Sequence, residues 1–274
     1  MLVAFSAKAE SPRLDIPKET TNEIFVVSAA VRSAYQDEGL SIYWNNRREG
    51  LVKAILKQNP SVILIQEAEW GQMLYMDDMF PEYTRVAFPN VEEKEKSEYV
   101  VVYFKTADFD LVDSGHFWLS ETPDAVSVGW NAAKTPRDAT WAVLKDKFTE
   151  KDICVCSVHV EYATKCIRHS LPLIQNRIHA VTQYQMPTII AGEFFVEEND
   201  ELFANFYKDY QDAVKDCADK TAGKSYNDFG LRTFNSDHIL YRGFKGEKYN
   251  MVMTKNADGS FLSDHYPIFA KLSY

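Results

Sequence analysis

Long apolar runs, clusters of basic residues and cysteines are all scarce in this sequence of 274 residues. No run approaches the roughly 18 consecutive apolar residues that a membrane-spanning helix needs, so no membrane span is predicted. The formal net charge is −10, and lysine and arginine form no cluster. Proteins that bind long nucleic acid usually present a basic face to the phosphates, so nucleic acid is not expected as a partner. A small phosphorylated substrate is compatible with this charge.

The four cysteines show neither the spacing of a zinc site nor that of a disulfide framework. Cys154 and Cys156 lie two residues apart in a predicted strand, so their side chains share one face about 6.6 Å apart, which is awkward for a disulfide. We therefore expect reduced, mostly buried thiols. The first nine residues lack the basic segment of a signal peptide, and the sequence leaves both the compartment and the oligomeric state open.

Strand and helix patterns alternate through residues 23–274 without a linker or a repeat, after a polar arm at residues 1–22. The apolar run at 24–31, the amphipathic segment at 47–58 and the apolar run at 61–66 predict a strand–helix–strand opening. Further strands are predicted at 99–104, 109–117, 139–144, 152–159, 188–191, 237–241, 249–253 and 268–272. The expected fold class is α/β, a four-layer sandwich of two mixed β-sheets flanked by helices, in a single domain.

A helix over residues 167–181 is predicted by apolar residues that recur at spacings of four, three, four and three. Pro172 lies inside this pattern, and proline is best tolerated in the first turn of a helix. Ser170 is therefore predicted as the N-cap.

Carboxylate and imidazole side chains lie at the ends of several predicted strands. They are Glu67, His159, Glu161, Glu193, Asp237, Asp264 and His265. Each one alone is more commonly a cap, a turn residue or a structural residue. Gathered at one edge of a sandwich, however, such groups predict a divalent-metal and acid–base site.

A series of short motifs follows in one order along the chain: Trp44-Asn45-Asn46-Arg47-Arg48, Ile65-Gln66-Glu67, Ser97-Glu98-Tyr99, Phe117-Trp118-Leu119-Ser120-Glu121-Thr122-Pro123, Gly129-Trp130, Arg137, His159, Gly192-Glu193-Phe194 and Ser263-Asp264-His265-Tyr266-Pro267. In residue identity and in their order along the chain, these motifs resemble those of the endonuclease/exonuclease/phosphatase superfamily, which has the fold of pancreatic deoxyribonuclease. The resemblance covers about residues 24–274 and is closest to a secreted or periplasmic bacterial branch. It implies a phosphatase or phosphodiesterase that depends on Mg²⁺ or Mn²⁺ and acts on a small phosphorylated substrate.

The resemblance also implies roles for matched residues on the metal side and at the phosphate. Glu67 matches the glutamate that binds Mg²⁺, and Asp264 matches a second acidic group beside the metal. His265 matches the histidine that contacts the scissile phosphate, and Asp237 matches the aspartate that orients this imidazole.

A second group of matched residues faces the phosphate from the other side. His159 matches another phosphate-facing histidine, with Glu98 as its carboxylate partner and Arg137 beside the phosphate. Glu193 takes the place of the aspartate that polarises the attacking water.

Four positions depart from the family's pattern: Ala30, Ser157 and Phe195 replace asparagines, and Glu193 replaces an aspartate. Ala30 offers no oxygen to a metal ion, so weak metal binding is expected. Glu193 reaches roughly 1.5 Å further than aspartate, and Phe195 cannot donate a hydrogen bond to a transition state. Two hypotheses follow. Either the site is a retuned or impaired hydrolase, or the chain is a catalytically inactive binding protein on the same fold.

Overall fold

The computed structural model describes residues 22–35, 37–221 and 223–274. Apart from Asn22, the predicted arm at residues 1–22 lies outside the described residues. The described strands are β1 (Glu23–Ala30), β2 (Val62–Glu69), β3 (Tyr83–Ala87), β4 (Glu98–Lys105), β5 (Phe109–Trp118), β6 (Asp138–Asp146), β7 (Asp152–His159), β8 (Thr188–Glu193), β9 (Gln211–Asp212), β10 (Asp219–Thr221), β11 (Asp237–Arg242), β12 (Lys245–Met251) and β13 (Ile268–Ser273). The described helices are α1 (Trp44–Leu56), α2 (Trp70–Met79), α3 (Thr164–Thr182) and α4 (Ala213–Asp216).

The strands form two mixed sheets, as the sequence predicts. The seven-stranded sheet has the order β10-β12-β13-β1-β2-β4-β3, and the six-stranded sheet has the order β5-β6-β7-β8-β11-β9. Strands β1 and β2 are parallel, as are β7 and β8, whereas β1–β13 and β8–β11 are antiparallel. A parallel pair needs a crossover connection, which α1 provides between β1 and β2 and α3 provides between β7 and β8.

Three buried apolar clusters separate four layers. Along β1, Val26 points into the cluster between the two sheets, whereas the adjacent Val27 points into the cluster under α1 and α2. Along β7, Val155 faces the inter-sheet core, whereas Cys154 and Cys156 face α3. This alternation follows from the two-residue period of a strand. The predicted four-layer sandwich is confirmed, and the four cysteines are free and buried as expected.

Helix α3 begins earlier than the sequence predicts. Its N-cap position is Ala163, so the prediction of Ser170 as the N-cap is wrong, and Ser170 and Pro172 both lie inside the helix. Pro172 and Arg168 are exposed. The carbonyl group of Arg168 loses its usual N–H partner at Pro172, which is the usual cost of a proline inside a helix. Within the described chain, no helix is long and apolar enough to cross a membrane.

A buried arginine holds three loops together below the sheet edge. Arg47 is 2 % exposed and donates from Nε to the carbonyl oxygen of Ile42. Its Nη1 donates to the carbonyl oxygens of Val31 and Leu262, and its Nη2 donates to that of Arg32. Burial lowers the pKa of Arg47 to about 10, so the guanidinium stays charged at neutral pH. These bonds fix the end of β1 against the loop that precedes β13.

Candidate active site

The carboxyl ends of β7 and β8 and the amino end of β11 meet at one edge of the six-stranded sheet. His159 pairs with Glu193 across β7 and β8, and Glu193 pairs with Asp237 across β8 and β11. Three predicted site residues therefore lie side by side on adjacent strands. Gly192 makes this approach possible, because its φ is 144° and a Cβ atom there would lie 2.0 Å from the carbonyl oxygen of Val158.

Glu67 enters the same region from the facing sheet. It lies in β2 with φ 60°, where the pairing with β4 shifts register between Ile65 and Ala68. A bulge of this kind re-aims a side chain that simple alternation would send to another face. Non-glycine residues with positive φ are uncommon and concentrate at functional sites.

His265 forms a buried pair with Asp237. The two groups join through Nδ1 and Oδ2 at 2.8 Å, and Ser236 Oγ also donates to Oδ2 at 2.6 Å. On the other side of the ring, Nε2 lies 3.3 Å from Glu193 Oε2. Burial opposes the charge on His265, but the Asp237 and Glu193 carboxylates outweigh it and raise the pKa of this imidazole well above its ordinary value. His265 is therefore a cation at neutral pH, with Nε2–H directed into the site.

His159 forms a second pair with Glu98, which Arg137 holds in place. His159 Nδ1 lies 2.7 Å from Glu98 Oε1, and Arg137 Nη1 donates to the same oxygen at 2.8 Å. Burial opposes the charge on Glu98, but His159 and Arg137 outweigh it and lower the pKa of this carboxyl to about 2. Arg137 Nε also donates to Glu161 Oε2 at 3.3 Å.

Two carboxylates face the free edge of His159. Its Nε2 lies 3.7 Å from Glu67 Oε1 and 4.0 Å from Glu193 Oε1. Burial raises the pKa of Glu67 and that of Glu193 to about 8 each. Glu193 is completely buried, and its two oxygens accept no hydrogen bond from the described residues. Seven of the eight predicted site residues therefore lie around one centre.

Asp264, the eighth predicted residue, is engaged by an arginine. Its Oδ2 accepts from Arg32 Nη1 at 2.9 Å, and its Oδ1 accepts from Ser263 Oγ at 3.1 Å. Arg32 also donates to both oxygens of Asp37, at 2.7 and 3.0 Å, and Asp37 is the leading cause of the raised pKa of this guanidinium. The metal role of Asp264 stays a prediction. Sequence reasoning did not find this ion-pair cluster, because its partners are 232 residues apart.

Ser157 and Ala30, two of the four positions that depart from the family's pattern, take part in hydrogen bonds within the protein. Ser157 Oγ donates to the carbonyl oxygen of Ile65 at 3.2 Å and accepts from Gln66 Nε2 at 2.8 Å, which connects the two sheets. Ala30 is buried, and its carbonyl oxygen accepts from Ser263 Oγ at 2.7 Å.

Phe195 places an aromatic wall against the site. Its ring stands edge-on to His265 at a centroid distance of 6.2 Å, and it contacts Phe234 at 6.1 Å and Tyr162 at 6.4 Å. Its φ is 54°, in the left-handed region that asparagine adopts more readily than phenylalanine does.

A cleft of about 200 Å³ opens above these groups. It is lined by Arg32, Ser33, Glu67, Glu98, Lys134, Thr135, Arg137, Glu161 and Tyr162. Its size suits a small substrate or one group of a larger one. Lys134 and Arg32 add positive charge that sequence reasoning did not assign to the site, because neither belongs to a charge cluster. A larger hollow of about 430 Å³ lies at the opposite end of β7, away from these groups.

His238 lies on the opposite face of β11 from Asp237, as its position in the strand predicts. It is completely buried, with Nδ1 2.8 Å from Asp212 Oδ2 and Nε2 2.7 Å from the carbonyl oxygen of Val196. Both ring nitrogens are satisfied away from the cleft, so this histidine is structural.

Comparisons with known proteins place this fold of two facing sheets among phosphoester hydrolases. No family model matches the chain. An uncharacterized protein of Acanthamoeba polyphaga mimivirus is 25% identical over 269 residues, which cover 89% of this chain and 97% of that protein. An endonuclease/exonuclease/phosphatase family protein from Bacteroides thetaiotaomicron matches with a TM-score of 0.85 and 25% identity, over 92% of this chain and 98% of that one. A mannosyl-6-phosphatase from the same bacterium matches with a TM-score of 0.84 and 25% identity, over 92% and 100% of the two chains. In fold and in sequence the chain is therefore similar to endonuclease/exonuclease/phosphatase proteins, which confirms the resemblance seen in its motifs.

Proposed function

We propose that the protein is a divalent-metal-dependent phosphatase or phosphodiesterase that acts on a small phosphorylated substrate. The observation that carries this proposal is the convergence of two histidine–carboxylate pairs, His265–Asp237 and His159–Glu98, on Glu193. Glu67 and Glu98 line a small cleft beside them. The likeness to a mannosyl-6-phosphatase supports a sugar phosphate as the substrate class.

The phosphate-facing residues supply charge where a phosphoryl group needs it. Asp237 orients His265 and stabilises its protonated ring, in which Nε2–H is directed into the site and donates to a phosphoryl oxygen as charge develops. Arg137 is fixed by Glu98 and Glu161 and provides a second cation at the cleft.

Glu193 is the residue placed to accept a proton from an attacking water. Burial raises its pKa to about 8, and a general base works best when its pKa lies close to the working pH. The carboxylate also lies 3.3 Å from the Nε2 of His265, so the two groups stabilise opposite charges.

A divalent cation fits the group of Glu67, Glu98 and His159 better than it fits the pair of Glu67 and Asp264. Glu67, Glu98 and His159 each present a donor atom, and these atoms all lie within 4.8 Å of one another. The pair implied by the resemblance, Glu67 with Asp264, fits less well, because Arg32 holds the Asp264 carboxylate. We therefore propose that Mg²⁺ or Mn²⁺ binds weakly through Glu67. When bound, a divalent cation supplies Lewis-acid polarisation of a phosphoryl oxygen.

Turnover of small phosphoesters tests the proposal. The protein is assayed with p-nitrophenyl phosphate, bis(p-nitrophenyl) phosphate and mannose 6-phosphate, each with Mg²⁺ and with Mn²⁺. We expect metal-dependent turnover that falls at least about 100-fold in His265→Ala, since one preorganised donor is worth roughly 10²–10³-fold. His169→Ala is the matched control, because this exposed histidine stacks on Trp130 outside the cleft and should change nothing. Wild-type rates equal to those of His265→Ala on every substrate would contradict the proposal.

The second candidate is a catalytically inactive binding protein. Glu193 Oε2 lies 3.3 Å from the His265 nitrogen that would donate to a phosphate, and Phe195 replaces an amide beside it. A protein of this kind would bind a phosphorylated small molecule in calorimetry and would not turn it over. Measured turnover that is lost in His265→Ala would exclude it.

A further inference from the structure

The wall of the cleft carries charged groups that are not paired with one another. Lys134 lies in the loop before β6 and Glu161 in the loop after β7, and both line the cleft. Lys134 makes no ion pair with the described residues, although the carboxylates of Glu67, Glu98 and Glu161 line the same cleft. Glu161 is 4 % exposed, and only its Oε2 is engaged, by Arg137 Nε at 3.3 Å. An ammonium donor and a carboxylate oxygen are therefore both available to a ligand.

Hydroxyl groups are the chemical complement of such a wall, because each hydroxyl both donates and accepts hydrogen bonds. One hydroxyl can donate to Glu161 Oε1 while a second accepts from Lys134 Nζ, and hydrogen bonds to charged groups are roughly twice as strong as neutral ones. A second anionic group on the substrate would be attracted by Lys134 but repelled by Glu161. An apolar group would remove water from both charges without replacing it, which costs free energy. The wall therefore fits a polyhydroxyl ligand.

Tyr162 adds an aromatic surface beside these two groups. Its side chain lines the cleft and is 63 % exposed, and its ring contacts Phe195 at a centroid distance of 6.4 Å. Tyrosine combines a rigid apolar ring with a polar tip and is common where ligands and proteins are contacted. A sugar ring has an apolar face of C–H groups and a rim of hydroxyls. It can therefore lie against the Tyr162 ring while its hydroxyls reach the charged groups.

We propose that Tyr162, Lys134 and Glu161 form a subsite that selects the substrate by its sugar ring, so that the preferred substrate is a monosaccharide phosphate. The ring lies on Tyr162, and its hydroxyls contact Lys134 and Glu161. The inference rests on the proposed function, which places the phosphate at His265 and Arg137. Because Arg137 also bonds to Glu161, the subsite adjoins the phosphate position. The cleft of about 200 Å³ has room for one sugar ring and not for an oligosaccharide.

The preference for a sugar ring over other alkyl groups tests the inference. The kcat/KM is measured for mannose 6-phosphate, glucose 6-phosphate, benzyl phosphate and methyl phosphate, which share a primary alkyl ester and differ in the group beyond it. We expect at least one hexose phosphate to exceed both methyl and benzyl phosphate by at least about tenfold. Tyr162→Ala and Lys134→Ala should each reduce this preference about 3–10-fold, mainly through KM, because an aromatic contact or a charged hydrogen bond is lost.

Two variants serve as controls. Tyr184→Ala removes a tyrosine that is 61 % exposed just beyond the opposite end of α3, about 28 Å along the helix, and should keep the wild-type preference. Tyr162→Phe keeps the ring and should also keep the preference. Tyr162 and Lys134 are both exposed, so their variants are expected to fold.

A wild-type preference for benzyl phosphate, or a hexose preference unchanged in Tyr162→Ala or in Lys134→Ala, would overturn the inference. Calorimetry with the same four esters separates this failure from failure of the proposed function. A hexose phosphate that binds more tightly than methyl phosphate, loses this advantage in Tyr162→Ala and is never hydrolysed would overturn the function alone. Hydrolysis of hexose phosphates and methyl phosphate with equal kcat/KM would overturn the inference alone.

Discussion

Restoring the family's side chains at two positions should raise the rate of hydrolysis. The change is Phe195→Asn, alone and combined with Glu193→Asp. The backbone at Phe195 has φ 54°, which asparagine tolerates well, so the substitution should not strain the chain. It removes the ring that stands edge-on to His265 at 6.2 Å and places an amide donor at the same position.

The expected gain in rate follows from two contacts of His265, one with the Phe195 ring and one with the Glu193 carboxylate. A preorganised donor at a transition state is worth roughly 10²–10³-fold in rate. Glu193→Asp withdraws the carboxylate by roughly 1.5 Å from His265 Nε2, which now lies 3.3 Å from Oε2, and frees that N–H for a phosphoryl oxygen. Loss of ring packing against Phe234 and Tyr162 offsets part of this gain. We therefore expect at least a tenfold increase for the double variant.

The assay compares kcat/KM for p-nitrophenyl phosphate at saturating Mn²⁺. Phe195→Leu is the matched control, because it removes the ring without adding a donor and should not raise the rate. Phe195→Asn is also measured alone, since Glu193 is the proposed proton acceptor. A folded double variant, verified by circular dichroism, with less than a twofold gain would refute the reasoning. Wild-type turnover near or above about 1 s⁻¹, an ordinary enzyme rate, would instead show a retuned site and exclude the binding-protein alternative.

Three further predictions concern stability and are checked by urea unfolding. Gly192→Ala should lower the free energy of unfolding by about 3 kcal/mol or more, because the new Cβ would lie 2.0 Å from the carbonyl oxygen of Val158 in β7. Gly71→Ala is the control: it has open space around it in α2 and should raise the free energy of unfolding by about 0.5 kcal/mol. His238 has a raised pKa: burial opposes its charge, but the pair with Asp212 outweighs burial. The charged His238 therefore contributes its full stabilisation below its unfolded pKa of about 6.5, and this stabilisation is lost as the pH rises through the folded pKa. His238→Gln should therefore lower the free energy of unfolding more at pH 5.5 than at pH 8.5. In metal-free buffer Glu193→Met should destabilise by about 1–3 kcal/mol, since it removes a carboxylate that lies 3.3 Å from the buried, charged His265, and a gain of stability would contradict that account.

The sequence predicts the sandwich because its strands carry long apolar runs and its polar groups lie at their ends. Helix α2 escaped prediction, because only three of its ten residues are buried and its apolar residues form no clear stripe. The sequence predicts the start of α3 too late, because Pro172 favours the first turn of a helix whereas the apolar pattern begins before it. Contacts that cross the molecule, such as Arg32 with Asp264 and Ser157 with Gln66, depend on tertiary packing and leave no local signal.

The cost of the buried acceptors favours a rebuilt site over a retired one. Ser157 has exchanged hydrogen bonds with Gln66 and with the carbonyl oxygen of Ile65, so that departure carries its own compensation. Glu193 is completely buried and accepts no hydrogen bond from the described residues, so its charge is offset mainly by His265, whose Nε2 lies 3.3 Å from Oε2. A protein that no longer used this centre would gain stability by replacing the whole buried group of Glu193, His265 and Asp237 with apolar side chains. Keeping a carboxylate there, between His159 and His265, is physically reasonable when the centre holds a cation or moves a proton.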